Sequence, residues 1–402
     1  MAQDRTPPTV SKAGSPRTPA NLLGLDYLAQ AQAMGRPVVP IIDSHAHVNG
    51  RRASAVFRRA MEAFGVRRVY SQTQLSQAEA VAEVLGEAVR FVAIPEYMAQ
   101  DRRRAMGEGF FESMRIFRER FGSRMLKFWV APRLRDLLDP VRDADLIRLD
   151  SPLRREQAAE AMSLGYMFQA HVADPDTWFA TTYADADRYG TKAQQYEPLE
   201  RMLEDFPVPW LVAHMGGWPE DLRFLDGLLA RHDNLYLDTS ATKWMVRELS
   251  KHPREAMVAF LDRWRGRILF GSDIVTLDDH LEPSDPGNTR FGAQLASGEQ
   301  EAFDLYASRY WALRTLWEGR YDGPSPIADP DLMLVEPDRY DAMSSPRLRG
   351  LALPAELLET LYAGAAQALL ERWWAQPGQA PSPGGRGHAP SPGSAGRLPD
   401  DG

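Results

Sequence analysis

The sequence predicts an α/β fold, a (β/α)₈ or TIM barrel, and three observations lead to this prediction. Short apolar segments alternate with segments whose apolar residues recur at spacings of three and four. Eight of the short segments lie between residues 38 and 274, close to the roughly 250 residues of a (β/α)₈ barrel. Strands that alternate with helices favour right-handed βαβ units and therefore a parallel sheet.

The predicted strands follow one another at intervals that leave room for a helix between most pairs. The second of them is unusually polar for a barrel strand. In chain order they are VVPIIDSHAHV (38–48), RRVYSQT (67–73), RFVAIPEYM (90–98), RMLKFWVAP (124–132), YMFQAHV (166–172), WLVAHMG (210–216), LYLDTSA (235–241) and ILFGSDI (268–274).

Six amphipathic helices are predicted between these strands, and two more helices are predicted after the last strand. The final two, 299–319 and 354–374, are expected to pack against the barrel wall. The six helices between the strands are predicted at 77–88, 110–121, 153–165, 196–206, 219–232 and 253–266.

Composition suggests one folded domain between two disordered tails. The chain has 402 residues, of which 44% are hydrophobic, enough for a sizeable core. Residues 1–22 and 376–402 are rich in Pro, Ser and small or polar residues and cannot bury enough apolar surface to offset the entropy of ordering. The predicted barrel domain therefore spans residues 23–375.

The same composition limits the classes of function. A net charge of −8 argues against nucleic acid and gives no reason to expect an anionic membrane as a partner. The absence of cysteine excludes disulfides, zinc sites built on thiolates and thiol nucleophiles. No segment has the apolar length of a membrane helix, and no secretory signal is visible. A soluble, cytoplasmic protein with a small-molecule substrate is expected.

Side chains able to bind a metal lie near the C-terminal ends of four predicted strands. They are His45, His47, His171, His214 and Asp273. In a barrel, these strand ends meet at one mouth, where active sites lie. Side chains two residues apart on a strand share a face, so the first two histidines can bind one ion. Histidines at strand ends can also bond to the backbone, but five such groups at one rim favour a metal site.

Imidazole and carboxylate are the ligands that this sequence offers to a metal. They suit Zn²⁺ and also Mn²⁺, Fe²⁺ or Co²⁺. Three or four protein ligands with an open position are typical of a catalytic site, where the ion lowers the pKa of water to about 7. The sequence leaves open whether one metal or two is bound.

The ordered set of HxH, His, His and Asp resembles the amidohydrolase superfamily. Within it, AHMGGW and ILFGSDI resemble the branch that includes aminocarboxymuconate-semialdehyde decarboxylase, aromatic-acid decarboxylases and lactone hydrolases. The resemblance implies that His45, His47, His171 and Asp273 bind the metal. It also implies that His214 and Asp273 are catalytic and handle protons. A homodimer is compatible with the resemblance.

Two segments depart from the pattern of that family. GSDIVTLDD stands where an aromatic residue and a proline often follow the aspartate, and the segment 275–298 after it is long. This segment is expected to shape the pocket or to act as a lid. In the C-terminal helix, Ala365 stands where an asparagine is usual. These departures affect the substrate that is expected and leave the ligand set intact.

Several further residues are candidates for contact with a substrate. Arg51 follows the HxH motif, and Arg133 follows the fourth strand, where an arginine can bind a carboxylate. Lys127 could bridge two metals when carboxylated, or could pair with a carboxylate or the substrate. Trp178 and Trp218 could line a pocket for an aromatic ligand. For each of these residues, ordinary surface or packing roles remain alternatives.

Three other polar residues near strand ends have less definite roles. Asp238 is expected either to bond to a ligand histidine or to cap the next helix. Asp174 is expected in a turn or as a cap. His280 is assigned no chemistry.

The leading hypothesis is a metal-dependent hydrolase in which activated water attacks a C–O or C–N carbonyl group. An alternative is a non-oxidative decarboxylase of an aromatic or unsaturated acid that uses the same site. A further alternative is a barrel that binds metal or ligand without turnover. A rival barrel, of the polymerase-and-histidinol-phosphatase type, also begins with HxH. It needs more histidines than residues 48–170 provide, since that segment has none.

Overall fold

The fold is a parallel α/β barrel, as predicted. The computed structural model describes residues 17–285, 287–288 and 292–376. Within them, nine strands form one sheet in which all pairs are parallel. The strands are β1 Ile41–Val48, β2 Val66–Ser71, β3 Val89–Ala93, β4 Met125–Trp129, β5 Met167–His171, β6 Trp210–Val212, β7 Leu235–Asp238, β8 Ile268–Leu269 and β9 Ile274–Thr276.

The last two of these strands are halves of the predicted eighth barrel strand. β8 pairs with β7, whereas β9 pairs with β1. Across the break, the Ser44 N–H donates to the carbonyl oxygen of Phe270 at 2.9 Å, and the Asp273 N–H donates to that of His45 at 2.8 Å. The sheet therefore closes on itself, and the break places Asp273 at the rim.

Helices cover the outside of the sheet and extend beyond it. The described helices are α1 Tyr27–Met34, α2 Arg51–Phe64, α3 Leu75–Leu85, α4 Arg102–Met106, α5 Glu108–Phe121, α6 Ala144–Ile147, α7 Pro152–Ser163, α8 Asp176–Ala180, α9 Ala186–Tyr189, α10 Tyr196–Asp205, α11 Leu222–Arg231, α12 Thr242–Leu249, α13 Arg254–Arg263, α14 Glu299–Glu318, α15 Asp331–Val335, α16 Ala355–Glu359 and α17 Arg372–Ala375. A short hairpin pairs β10 Asp322–Pro324 with β11 Arg347–Arg349.

The helix α2 is not among the predicted helices. Its arginine pairs, at its start and in its middle, obscure an apolar face that the sequence nevertheless contains. Its buried residues recur at spacings of three and four, as an amphipathic helix requires: Ala53, Val56, Phe57, Ala60, Met61 and Phe64.

The barrel interior has an apolar layer below a polar layer. The apolar layer lies towards the N-terminal ends of the strands. Lys127 and Gln169 lie two residues beyond Met125 and Met167 of this layer. Together with Asp238 on β7, they form part of the polar layer. The apolar layer includes Ile42, Tyr70, Val92, Met125, Met167, Leu211 and Leu269.

The C-terminal helix, residues 355–375, closes the lower end of the barrel. It comprises α16, two π-helical turns and α17. Its residues Ala365, Ala366, Leu369 and Leu370 belong to the same buried cluster as the apolar layer. The predicted position on the barrel wall is thus wrong for this helix, because small residues let it approach the barrel end closely. By contrast, α14 packs against α2 on the wall, as predicted.

Most of both predicted tails lies outside the described residues. The described part of the N-terminal segment packs onto the domain, where the Asn21 amide donates to Asp304 at 2.9 Å. The proposed domain limits stay a prediction. Over the described ranges, no helix is both long enough and apolar enough to cross a bilayer.

Candidate metal centre

The four predicted metal ligands and the predicted catalytic residue His214 all lie at the mouth because of where the strands end. His45 and His47 are on β1, and His171 is the last residue of β5. His214 comes two residues after β6, and Asp273 lies in the break between β8 and β9. Parallel strands of a barrel end at the same rim, so separate chain segments contribute to one region.

Three of these residues bring ligand atoms together on the open side of the mouth. His45 Nε2 lies 3.4 Å from Asp273 Oδ1, and His47 Nε2 lies 3.2 Å from the same oxygen. All three ligand atoms lie within 4.8 Å of one another. His45 is fully buried, whereas the side chains of His47 and Asp273 are 29% and 28% exposed. A ligand therefore reaches this group along the edge formed by His47 and Asp273.

The separations in this group fit a divalent cation. Zinc binds imidazole nitrogen and carboxylate oxygen at about 2.0–2.2 Å, which places tetrahedral ligands roughly 3.4 Å apart. The two nitrogen-to-oxygen distances here are 3.4 and 3.2 Å. Two imidazoles and one carboxylate are also a donor set typical of catalytic zinc. The residues present thus fit the metal that the predicted chemistry needs.

The other side of the His45 ring is fixed by buried polar groups. His45 Nδ1 lies 2.9 Å from Asp238 Oδ2, and both side chains are buried. Because an ionised carboxylate only accepts hydrogen bonds, Nδ1 carries the proton and Nε2 keeps its lone pair. Of the two roles expected for Asp238, the structure therefore shows the bond to a histidine.

A second group of convergent atoms involves His45, His214 and Asp238. The hydroxyl of Ser240 lies among them. Its Oγ is 3.0 Å from His45 Nδ1 and 2.8 Å from His214 Nδ1, and it donates a hydrogen bond to Asp238. This group is therefore a hydrogen-bond cluster that orients two histidines, and the ion fits the first group.

The backbone of His214 adopts a left-handed conformation with φ of 60°. Its N–H donates to Asp238 Oδ1 at 2.9 Å, which offsets some of the strain at this strand end. Its ring stacks on His45 with centroids 5.0 Å apart. Burial and the adjacent His171 lower the pKa of His214 well below its usual value, so the ring is neutral at neutral pH.

The structure does not place His171 in either group of convergent ligand atoms. Its ring packs edge-on against His214 with centroids 4.5 Å apart. Its Nε2 lies 2.8 Å from Asp174 Oδ1, and the other oxygen of Asp174 accepts from Tyr183 at 2.8 Å. The nitrogen left for a metal is Nδ1, and metal binding by His171 stays a prediction. Asp174 orients this histidine, a role that its place after the strand did not reveal.

Charges at the mouth favour neutral histidines beside an ionised aspartate. Desolvation, followed by the charge of Lys127, lowers the pKa of His47 to about 4. Burial opposes ionisation of Asp273, but the hydrogen bond from His47 and the nearby imidazoles hold the pKa of its carboxyl well below the usual range. At neutral pH, His47 is thus uncharged and Asp273 is negatively charged, and these charge states favour a cation, which would replace the proton between His47 Nε2 and Asp273.

Lys127 lies on the same side of His45 as Asp273. Its Nζ is 2.9 Å from His45 Nε2, so it donates to the lone pair that a metal would use. Burial lowers the pKa of Lys127 to about 8. This contact shows that a cationic group is accommodated at the lone pair of His45.

Asp43 stabilises the break in the eighth strand through hydrogen bonds. It was not among the predicted site residues. Its carboxylate accepts hydrogen bonds from the Ser272 hydroxyl at 2.6 Å and the Tyr310 hydroxyl at 2.9 Å. It also accepts from the backbone N–H of His45 at 3.1 Å. Burial raises the pKa of Asp43 to about 7. The signal that could have identified it is its position two residues before His45 on β1.

The predicted substrate-binding residues occupy different surroundings. Arg51 is 56% exposed and pairs with Glu83. Arg133 is 50% exposed, and its guanidinium lies 5.9 Å from the ring centroid of Trp178. Trp218 packs on Tyr196, with centroids 5.7 Å apart, and makes no ring contact with the described histidines. The structure thus brings Arg133 and Trp178 together, and it leaves Arg51 and Trp218 apart from them.

An aromatic wall, formed by Trp178 and Trp244, lies beside two of the histidines. The Trp244 ring is 5.4 Å from His214 and 6.5 Å from His171 between centroids. The Trp178 ring lies 5.7 Å from Trp244. Both tryptophans are partly exposed, so the wall borders the space above the histidines.

Three solved structures that are similar to this chain have identities of 13–16% to it. A protein of Agrobacterium tumefaciens in its apo form has 13% identity and a TM-score of 0.36, with coverage of 68% of this chain and 92% of that one. IDCase of Metarhizium anisopliae has 14% identity and a TM-score of 0.33, covering 67% and 80%. A xylose isomerase domain protein from Alicyclobacillus acidocaldarius has 16% identity and a TM-score of 0.36, covering 68% and 99%. At these values, none of them bears on function.

No curated protein matches the chain. A protein-family model described as amidohydrolase matches residues 30–372. This range contains the whole barrel, the convergent histidines and Asp273, and most of the C-terminal helix. The chain therefore belongs to the amidohydrolase family.

Proposed function

We propose that this protein is a metal-dependent hydrolase that acts on the C–O or C–N carbonyl group of a small molecule. The observation that carries the proposal is the approach of His45 Nε2 and His47 Nε2 to Asp273 Oδ1 on the open side of a barrel mouth. These three residues would hold the ion, most favourably Zn²⁺, with His171 as a further ligand. When bound, such an ion polarises a substrate carbonyl group and makes water more acidic.

The protein's own residues would then manage the protons. Asp273 is ionised and partly exposed, so it can accept a proton from a reactant at the rim. His214 is neutral, and its Nδ1 is engaged by Ser240, which leaves Nε2 to exchange a proton with the substrate. His45 and Asp238 are buried, and they orient the site without meeting solvent.

A second candidate function is non-oxidative decarboxylation, as in the branch that the sequence motifs resemble. The aromatic wall and Arg133 favour it, because an arginine can bind a carboxylate while aromatic rings contact a planar acid. In this reaction His214 would take up a proton from solvent at Nε2 and pass it to carbon as carbon dioxide leaves. Zn²⁺ as the ion, the decarboxylase branch and a homodimeric assembly all remain proposals.

The test separates the two reactions from each other and from simple binding. Chelated protein is reloaded with Zn²⁺, Mn²⁺, Fe²⁺ or Co²⁺ and screened against lactones, esters and amides for acid release. It is screened in parallel against aromatic and unsaturated carboxylic acids for release of carbon dioxide. We expect metal-dependent acid release. Carbon dioxide release alone would favour the second reaction, and metal binding without any turnover would favour the non-catalytic alternative.

A further inference from the structure

One carboxylate oxygen, outside the barrel strands, bonds to both tryptophans of the aromatic wall. Asp331 begins α15, whereas Trp178 is in α8 and Trp244 is in α12. The Trp178 indole Nε1–H donates to Asp331 Oδ2 at 2.8 Å, and that of Trp244 donates to the same oxygen at 3.1 Å. Because the two bonds share one acceptor, the positions of the rings depend on each other.

Asp331 is itself held in place by a buried ion-pair network. Arg247 Nη1 lies 3.3 Å from Asp331 Oδ2 and 2.5 Å from Asp329 Oδ2. Its Nε donates to Glu248 at 2.5 Å. Charges this deeply buried are stable only when paired and hydrogen-bonded, so the network resists displacement of any one member. The acceptor oxygen of Asp331 therefore has a fixed position.

The two rings extend from this acceptor to the candidate metal centre. Trp244 contacts His214 edge-on, with centroids 5.4 Å apart and planes at 85°. Trp178 extends the wall outwards, and its ring centroid lies 5.9 Å from the guanidinium of Arg133. Rings that are fixed before a ligand arrives lose little conformational freedom when it binds, which strengthens binding.

We propose that Asp331 is a positioning residue that fixes Trp178 and Trp244 as a rigid wall for the substrate. It acts through the two indoles and does not touch the reacting atoms. The link to catalysis rests on the proposed function. The placement of the rings by Asp331 does not rest on the proposed function. The positioning role and the proposed function can therefore fail independently.

The test uses ¹⁹F NMR of the full chain labelled with 5-fluorotryptophan. Trp178→Phe and Trp244→Phe assign the two resonances. In Asp331→Ala we expect both resonances to shift and to broaden or split, because both rings lose their acceptor. Asp331→Asn keeps an acceptor oxygen and should restore single, narrow resonances.

A matched control is available on the outer surface of the barrel. Trp264 Nε1 donates to Asp226 Oδ1 at 2.9 Å, which is the same kind of bond far from the mouth. Asp226→Ala should change the Trp264 resonance and leave those of Trp178 and Trp244 unchanged. Asp331→Glu keeps the negative charge beside Arg247 but moves the acceptor by one methylene, so it serves if the alanine variant does not fold.

Two readouts decide the proposal. The proposal would be overturned if the Trp178 and Trp244 resonances were unchanged in Asp331→Ala. If the Asp331→Ala protein does not fold, unchanged resonances in Asp331→Glu would overturn it. With a substrate identified by the screen, we expect KM to rise roughly tenfold in Asp331→Ala while kcat changes little, because substrate contact is lost and chemistry is retained. A fall in kcat with KM unchanged would also contradict it. If the screen finds no substrate, the proposed function fails, and the resonances still decide the role of Asp331.

Discussion

The Nδ1 atom of His45 lies 2.9 Å from a carboxylate oxygen of Asp238, and both side chains are fully buried although they are 193 positions apart in the sequence. This contact fixes the proton of His45 on Nδ1 and turns the lone pair of Nε2 towards Asp273 and Lys127. Asp238, at the buried end of β7, thus determines that Nε2 is the atom of His45 that is available to a cation.

The first prediction concerns this contact. In Asp238→Asn, the side-chain amide can donate to His45 Nδ1 and so favour the opposite tautomer, with the proton on Nε2. We expect Zn²⁺ affinity to fall about 10- to 100-fold, as is typical when an orienting partner of a metal-binding histidine is lost. Calorimetric titration of the chelated protein with Zn²⁺ measures this affinity, and Asp226→Asn serves as a surface control. Equal affinity in Asp238→Asn and the wild type would refute this role.

The second prediction separates metal binding from proton transfer. His214 contributes no atom to the group formed by His45, His47 and Asp273. His214→Asn should therefore lose nearly all turnover while keeping Zn²⁺ affinity within about threefold, a difference of roughly 0.7 kcal/mol. Metal content and activity are measured on the same preparation. A parallel loss of both would assign His214 to metal binding instead.

The third prediction concerns the close packing of the eighth strand against the site. A Cβ atom at Gly271 would lie 3.0 Å from the Cβ of Ser240 and 3.2 Å from that of His45. Gly271→Ala should therefore lower the free energy of unfolding by about 1–3 kcal/mol, the usual effect of overpacking. It should also weaken Zn²⁺ binding, because His45 must move.

Gly227 provides the contrasting substitution. It lies within α11, and a Cβ there would meet only the flexible end of Arg231, at 3.4 Å. Gly227→Ala should raise the free energy of unfolding by up to about 1 kcal/mol through helix propensity. Urea denaturation measures both variants. Similar effects of the two substitutions would show that the contacts of Gly271 do not restrict the site.

The fourth prediction concerns pH and the segment after the barrel. His280 is buried, with Nδ1 2.8 Å from the Tyr306 hydroxyl and Nε2 2.8 Å from the carbonyl oxygen of Gly292. Burial lowers the pKa of His280. Arg309 on α14 acts in the same direction, while the Gly292 bond and the charge of Asp279 act against it. The folded state therefore binds this proton less readily than the unfolded state does.

The sign of the pH effect follows from this difference. The contribution of neutral His280 to stability is complete above the ordinary pKa of about 6.5 and is lost as the pH falls towards the lower folded value. The free energy of unfolding should fall by at most about 1.4 kcal/mol per pH unit on account of this group. Urea denaturation between about pH 7.5 and 5.5 should show a shallower slope for His280→Gln than for the wild type. Parallel slopes would exclude this contribution.

The strand ends were predictable from sequence, because in an alternating α/β chain a hydrophobic run that ends in His or Asp is typical of a strand that ends at a functional rim. His45, His47, His214 and Asp273 are indeed found near one another. The break that splits the last strand was not predictable, because it depends on Asp43 and Ser272 meeting across 229 positions. Ser240 and Asp331 were missed for the same reason, since a single serine or aspartate in the sequence reveals nothing until its distant partner is known.

The helical packing shows a similar limit. The apolar spacing of the C-terminal helix predicts that it is buried, but does not say against which surface. Its small residues at 363, 365 and 366 allow a close approach to the lower end of the barrel, and this follows only from the closed sheet. Periodicity identifies which face of an element is buried, whereas tertiary structure determines what covers that face.

The most direct test of the metal centre is a Zn²⁺ titration that compares the chelated wild type with His47→Ala. His47 is at the open edge and contributes Nε2 to the convergent group. His252, whose Nε2 bonds to the carbonyl oxygen of Pro219, is the matched control histidine. We predict a tight site in the wild type and in His252→Ala, and affinity weakened at least about 100-fold in His47→Ala, a loss of roughly 2.7 kcal/mol. Equally tight binding in all three proteins would contradict the proposed metal centre.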